Sequence, residues 1–122
     1  MKLIDWRDNR AIYEQIVDRM KRLILLDVLG PGEQLPSVRS LAVENGTNPN
    51  TVQKAYTELE RQGYTYTVKG KGVFVSDSSV LKDRKKQELI IEVTDVLREG
   101  KELGIEPEII CGEAIEKIRG GE

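Results

Sequence analysis

The stretch Leu35-Pro36-Ser37-Val38-Arg39-Ser40-Leu41-Ala42-Val43-Glu44-Asn45-Gly46-Thr47-Asn48-Pro49-Asn50-Thr51-Val52-Gln53-Lys54-Ala55-Tyr56-Thr57-Glu58-Leu59 holds two helical patterns separated by a break. In the first, Pro36 suits a helix entry, and Val38, Leu41 and Ala42 fall three and four residues apart on one face. Glu44-Asn45-Gly46 ends that pattern, since Gly46 is free to take the left-handed conformation of a sharp turn. In the second, Asn48 can cap, Pro49 suits the first helical position, and Val52, Ala55, Tyr56 and Leu59 form a stripe to be buried. Asn50, Thr51, Gln53, Lys54 and Thr57 are left on the opposite side. The spacing predicts a helix-turn-helix whose second helix presents groups able to hydrogen-bond bases and phosphates. Periodicity alone leaves two other readings open, a helical core unit and a winged helix that binds protein.

The residues beyond Leu59 weigh toward nucleic acid. Gln62-Gly63 ends the second helix, residues 64–68 read as a strand, Lys69-Gly70-Lys71-Gly72 as a glycine-permitted turn, and Val73-Phe74-Val75 as the returning strand. Two lysines and two glycines at the tip of such a hairpin suit a wing laid over a phosphate backbone. The bland alternative is a plain hairpin with a soluble tip.

Outward from this stretch, residues 11–26 carry Ile12, Tyr13, Ile16, Val17, Met20, Ile24 and Leu25 at helical spacing, and Gly30-Pro31-Gly32 stops that helix. Arg19, Lys21 and Arg22 lie on it, and a solvated face is the expected role for at least two of them. The N-terminal arm holds the only tryptophan, Trp6, beside Leu3 and Ile4, and is expected to pack against the domain. Beyond residue 76, Leu81, Leu89, Ile90, Val93, Val96 and Leu97 mark a long helix, which Gly104 interrupts. Pro107 then opens a second helix with Ile109, Ile110, Ala114, Ile115 and Ile118. Two helices cannot bury such stripes on both sides by themselves. The expected arrangement is a winged domain over residues 1–76, followed by a two-helix dimerisation region over 77–122. Leu89, Val93, Val96, Leu97, Ile110, Ala114, Ile115 and Ile118 form its contact face. The alternative is packing of the two helices on their own winged domain.

Composition narrows the chemistry. The 122 residues suffice for one domain and an appendage, and 33% charged residues with no long apolar run point to a cytoplasmic protein without a membrane span. A single cysteine, Cys111, excludes an intrachain disulfide, and the absence of histidine removes the usual zinc sites and histidine-based triads. No cofactor, metal or enzymatic activity is expected; Gly70-Lys71-Gly72 lies in a hairpin, not between a strand and a helix as a phosphate-cradling loop would. Net charge is −2, but residues 1–76 carry 11 Lys and Arg against 9 Asp and Glu, and residues 77–122 carry 8 against 12. DNA affinity must therefore come from where Arg39, Lys54, Lys69 and Lys71 sit rather than from a large overall field.

The pattern Pro31-Gly32-x-x-Leu35-Pro36-Ser37-x-Arg39-x-Leu41-Ala42, then Asn48-Pro49-Asn50-Thr51-Val52-x-x-Ala55-Tyr56-x-x-Leu59-x-x-x-Gly63, then Gly70-x-Gly72-x-Phe74-Val75, resembles the GntR family of bacterial transcription regulators over residues 10–76. The short tail is similar to that of the YtrA-type subfamily. The resemblance implies a dimeric repressor of an inverted-repeat operator on double-stranded DNA, with a transporter operon as its target. It implies DNA contacts at Ser37, Arg39, Asn48, Asn50, Thr51, Gln53, Lys54, Lys69, Gly70, Lys71 and Gly72. Gln53 and Pro49 stand where larger members often have arginine, so the base preference of those members does not carry over. The tail lacks histidine and the length for the usual effector cavity, so their metal or organic-acid switch does not carry over either. A winged module used purely for protein assembly is the competing function.

Overall fold

The computed structural model describes residues 1–121, Glu122 lying outside the described residues, and the chain divides into two units at the Lys82/Asp83 boundary. In chain order the elements are α1 (Ile12–Leu25), α2 (Val38–Asn45), α3 (Pro49–Arg61), β1 (Thr65–Val68), β2 (Gly72–Val75), α4 (Ser78–Glu102) and α5 (Pro107–Arg119). The fold is mainly α: three helices and a two-stranded wing, followed by a two-helix C-terminal region of the dimerisation type.

In the first unit α3 packs against both α1 and α2. Ile16, Met20 and Ile24 of α1, Leu41 and Ala42 of α2, and Val52, Ala55, Tyr56 and Leu59 of α3 are all buried in one cluster. These are the stripes of the 3.6-residue pattern, so the core forms where the three apolar faces meet. The local signals act as their chemistry dictates. Ser37 caps α2 through a bond from the Ser40 amide to its hydroxyl, 3.1 Å, and Pro36 lies just outside the helix rather than within it. Gly46 turns the chain at φ 62°, with the Thr47 amide donating back to the Ala42 carbonyl. Asn48 caps α3 by accepting from the Asn50 amide at 2.7 Å, with Pro49 in the first turn.

The N-terminal arm packs against this unit, but through Leu3 and not through Trp6. Leu3 is buried, whereas Trp6 is 67% exposed. The arm is fastened by polar groups. Asn45, at the buried end of α2, accepts from the Leu3 amide at 2.7 Å and donates to the carbonyls of Met1 and Leu41. Gln15, fully buried, accepts from the Asp5 amide and donates to the Arg10 carbonyl. Each amide thereby supplies partners that the irregular arm backbone lacks.

The wing is antiparallel, pairing Thr65 with Val75 and Val68 with Gly72, with the rings of Tyr66 and Phe74 stacked across it at 5.8 Å. The first turn of α4 belongs to the first unit. Leu81 lies in its core, and Ser78 and Lys82 both bind the carboxylate of Asp27, at 2.6 and 3.1 Å. Those two bonds hold the Asp27 carboxyl below its ordinary pKa, the Ser78 hydroxyl contributing more than Lys82. Asp27 is also the only described residue other than glycine with a positive φ, 58°.

The second unit is a helical hairpin. Gly100 permits the close approach of its two arms, since a Cβ there would meet the Ile110 Cδ1 at 2.3 Å. Among the described residues this unit buries no hydrophobic side chain at all.

Candidate nucleic-acid interface

The recognition helix α3 turns its polar row away from the core. Asn50, Gln53, Lys54 and Thr57 are exposed and Thr51 is half-buried. The residues of the row do not point out as free rods. The Gln53 amide donates to the Thr57 hydroxyl one turn later at 3.2 Å, which limits the rotamers it can offer to a base edge. Lys54 Nζ lies 3.9 Å from the centroid of the Tyr13 ring, so its charge is held against α1 by the ring's electron-rich face. Ala11, Ile12 and Tyr13 line one shallow hollow with Asn50, Thr51 and Lys54. Tyr13 is therefore a neighbour of the recognition surface that sequence reasoning counted only as a core residue. Nothing in the sequence marks a contact 41 positions apart between two helices.

Arg39 stands exposed near the start of α2, beside Ser37, and both line a second hollow with Ser40, Val43 and Glu44. At the wing tip the Lys71 amide donates to the Val68 carbonyl at 2.9 Å, closing a turn with Lys69 and Gly70 at its corners. Gly70 and Gly72 have φ of 77° and 131°, values that side chains with a Cβ rarely adopt. The tip is exposed from Lys69 through Lys71.

Within the first unit, the pairing of the basic side chains separates two groups. Arg10 is bonded to Asp8, Arg22 to Asp18, Arg61 to Glu58 and Lys82 to Asp27. Arg19 bridges the Leu3 carbonyl and Gln15, and Lys21 binds Gln62 and lies over the Tyr64 ring. The carboxyls of Asp8 and Glu58 are lowered to about 2 by hydrogen bonds, chiefly from Arg10 and Arg61 respectively. By contrast, among the described residues the side chains of Arg39, Lys69 and Lys71 have no hydrogen-bond or ion-pair partner within the chain. A cation already paired with a carboxylate would have to give that partner up before meeting a phosphate. Arg39, Lys69 and Lys71 would not.

In the second unit Val93, Val96, Leu97, Ile110, Cys111 and Ala114 line an apolar groove with Glu92. Leu89, Ile115 and Ile118 stand exposed elsewhere on the same hairpin, Ile118 to 74%. Among the described residues no three metal-ligating side chains converge, and no helix is long and apolar enough to cross a membrane.

The family described as bacterial regulatory proteins, gntR family, matches residues 12–75, from the start of α1 to the end of the wing. The HTH-type transcriptional repressor YtrA of Bacillus subtilis is 50% identical over 76 residues, covering 62% of this chain and 58% of its own length. A transcriptional regulator from Oenococcus oeni superposes with a TM-score of 0.72 at 36% identity, covering 99% of this chain and 98% of that one. YtrA from Sulfolobus acidocaldarius, a GntR-family transcription factor, superposes with a TM-score of 0.61 at 34% identity, over 76% of this chain and 95% of its own.

Proposed function

This chain belongs to the gntR family of bacterial regulatory proteins, close to the YtrA type, and from that premise we propose that it is a dimeric repressor reading an inverted-repeat operator. The chain is a sequence-specific DNA-binding transcription regulator and not an enzyme. The observation that carries the finer reading is the division of cations. The two lysines of the wing tip and Arg39 of the helix-turn-helix have no partner among the described residues, whereas the basic residues of α1 are engaged. In this reading α3 enters the major groove with Asn50, Thr51 and Gln53 toward base edges. Arg39, Lys54, Lys69 and Lys71 meet phosphate, Ser37 and Asn48 offer their polar edges beside the helix starts, and Gly70 and Gly72 let the wing backbone approach.

Dimerisation through the second unit completes the proposal. A hairpin with no buried hydrophobic side chain among the described residues is not a stable end state, and four helices from two copies would cover its groove as one core. Cys111, on the wall of that groove, fits as a small apolar residue of the same layer. A transporter operon, which the resemblance to the YtrA-type subfamily implies, is the proposed target.

Two kinds of substitution separate phosphate contact from base reading. Lys69→Ala or Lys71→Ala should weaken every duplex about equally and lower the slope of log affinity against log salt by about 0.9 for each phosphate no longer neutralised. Asn50→Ala or Gln53→Ala should change which duplex is preferred, by roughly 1–3 kcal/mol for each base-specific hydrogen-bonding pair. Titrations over several salt concentrations measure both effects, using a duplex selected from random DNA and its scrambled counterpart. Equal losses on both duplexes for Asn50 and Gln53 would remove the base-reading role. Absence of any salt-dependent preference in the wild type would favour a protein-assembly module.

A further inference from the structure

The wing is held from outside its own hairpin. Residues 32–35, which precede the helix-turn-helix, run along the free edge of β2. The Gly32 amide donates to the Val75 carbonyl at 2.8 Å, the Val75 amide to Glu33 at 2.9 Å, and the Leu35 amide to Val73 at 2.9 Å. Gln34 forms an antiparallel bridge with Phe74 in the middle of this edge. Its side chain then reaches further toward the tip, where the Nε2 donates to the carbonyl of Lys71 at 2.8 Å. The amide lies across Gly72, since a Cβ on that glycine would fall 2.5 Å from the same nitrogen. Gly72 thus provides two things at once, a φ of 131° and the seat for the Gln34 amide.

We infer that Gln34 is a positioning residue for DNA binding, which fixes the wing turn so that Lys69 and Lys71 are already placed when phosphate arrives. The inference rests on the reading of the wing tip as a phosphate contact. A two-stranded hairpin with four-residue strands is marginal alone, and its tip would otherwise be ordered only on binding, at the expense of affinity. The bond to the Lys71 carbonyl acts on the backbone immediately after the second lysine, so it restrains the turn without using either cation.

The test compares full-length wild type, Gln34→Ala, Gln34→Met, the Lys69→Ala/Lys71→Ala pair, and that pair combined with Gln34→Met. Affinity is read by fluorescence anisotropy, on a duplex selected from random DNA by the wild type, over a series of salt concentrations. Gln34→Met keeps the length of the stem across Gly72 and loses only the donor. Both single variants should bind about two- to tenfold more weakly, the range one hydrogen bond supports. Their salt slope should equal that of the wild type, because no cation is removed. Their melting midpoints should also match the wild type. Adding Gln34→Met to the lysine pair should cost nothing further. Wild-type affinity for Gln34→Met overturns the inference, as does an equal loss in the lysine-pair background, which would make Gln34 a direct contact. A loss confined to Gln34→Ala together with a lowered midpoint assigns it to folding alone. If the lysine pair itself binds as the wild type does, the phosphate reading of the wing falls, and the inference with it.

Discussion

Val93→Asp should convert the protein to a monomer whose winged unit is still folded. Val93 is 52% exposed in the single chain and lies on the wall of the apolar groove between α4 and α5. In a four-helix layer formed by two copies that position is covered, and an unpaired carboxylate there is far more costly than a change of shape. Ile115→Asp, on the facing helix, should act alike. Sedimentation at micromolar concentration should show half the wild-type mass, with helix content retained. The DNA consequence is larger than the structural one. A dimer presents its second recognition helix at the effective concentration of a tethered partner, so loss of the dimer should lower affinity for a two-half-site operator by about 10²–10⁴-fold. Affinity for an isolated half-site should not change. Half-sites should lie one helical turn apart, centre to centre, or a multiple of it. A wild-type protein that sediments as a monomer, and occupies both half-sites only after DNA is added, would overturn the assignment.

Tyr56→Ala should be the most damaging single truncation in the winged unit. The ring is only 3% exposed, on the stripe shared with Val52, Ala55 and Leu59. Its hydroxyl donates to the Pro36 carbonyl at 2.7 Å, tying the recognition helix to the entry of α2. Truncating a buried aromatic costs about 3–5 kcal/mol, which in a unit this size lowers the melting midpoint by roughly 15 °C or more. DNA binding should fall only to the extent that the fold is lost, and should return on cooling. Tyr56→Phe isolates the hydroxyl and should cost about 1 kcal/mol. Burial raises the Tyr56 pKa above the ordinary value of 10.0, with the Glu44 charge adding a smaller push. Its contribution is therefore complete below pH 10 and is lost as pH rises from there through the folded value. Tyr56→Phe should lessen the alkaline loss of stability, measured by melts between neutral pH and pH 11. A Tyr56→Ala protein as stable as the wild type but unable to bind DNA would make Tyr56 a contact residue instead.

How much of this was legible in the sequence depends on the range of the interaction. The helix-turn-helix and the wing could be read because each signal acts within a few residues. Ser37 and Asn48 bond to amides three and two residues on, Gly46 needs only its own φ, and the apolar stripe of α3 repeats every turn. Contacts between distant segments left no such trace. Glu33 and Gln34, between the Gly30-Pro31-Gly32 stop and the helix-turn-helix, carry no strand pattern, because edge pairing with β2 needs no alternation of side chains, only backbone amides. Tyr13 sits beside Lys54 through packing of α1 on α3, which periodicity cannot register. Trp6 misled for a related reason. Its size argued for burial, but the arm is anchored by Leu3 and by the amides of Gln15 and Asn45 instead.

Leu81 belongs to the same set, and its place has a practical outcome. Periodicity groups it with the apolar positions of the tail, yet it fills part of the winged core, and Asp27 grips the turn around it. A DNA-reading fragment cut at the end of the wing would leave that core open, whereas one running through Lys82 would keep it closed. Hybrids that exchange tails between regulators of this architecture are then best joined inside α4, where helical phase governs the result. One residue added after Lys82 rotates the rest of α4 by about 100° around the helix axis and advances it by about 1.5 Å. The length of α4 kept on each side of the join is therefore the variable to scan in such hybrids, one residue at a time.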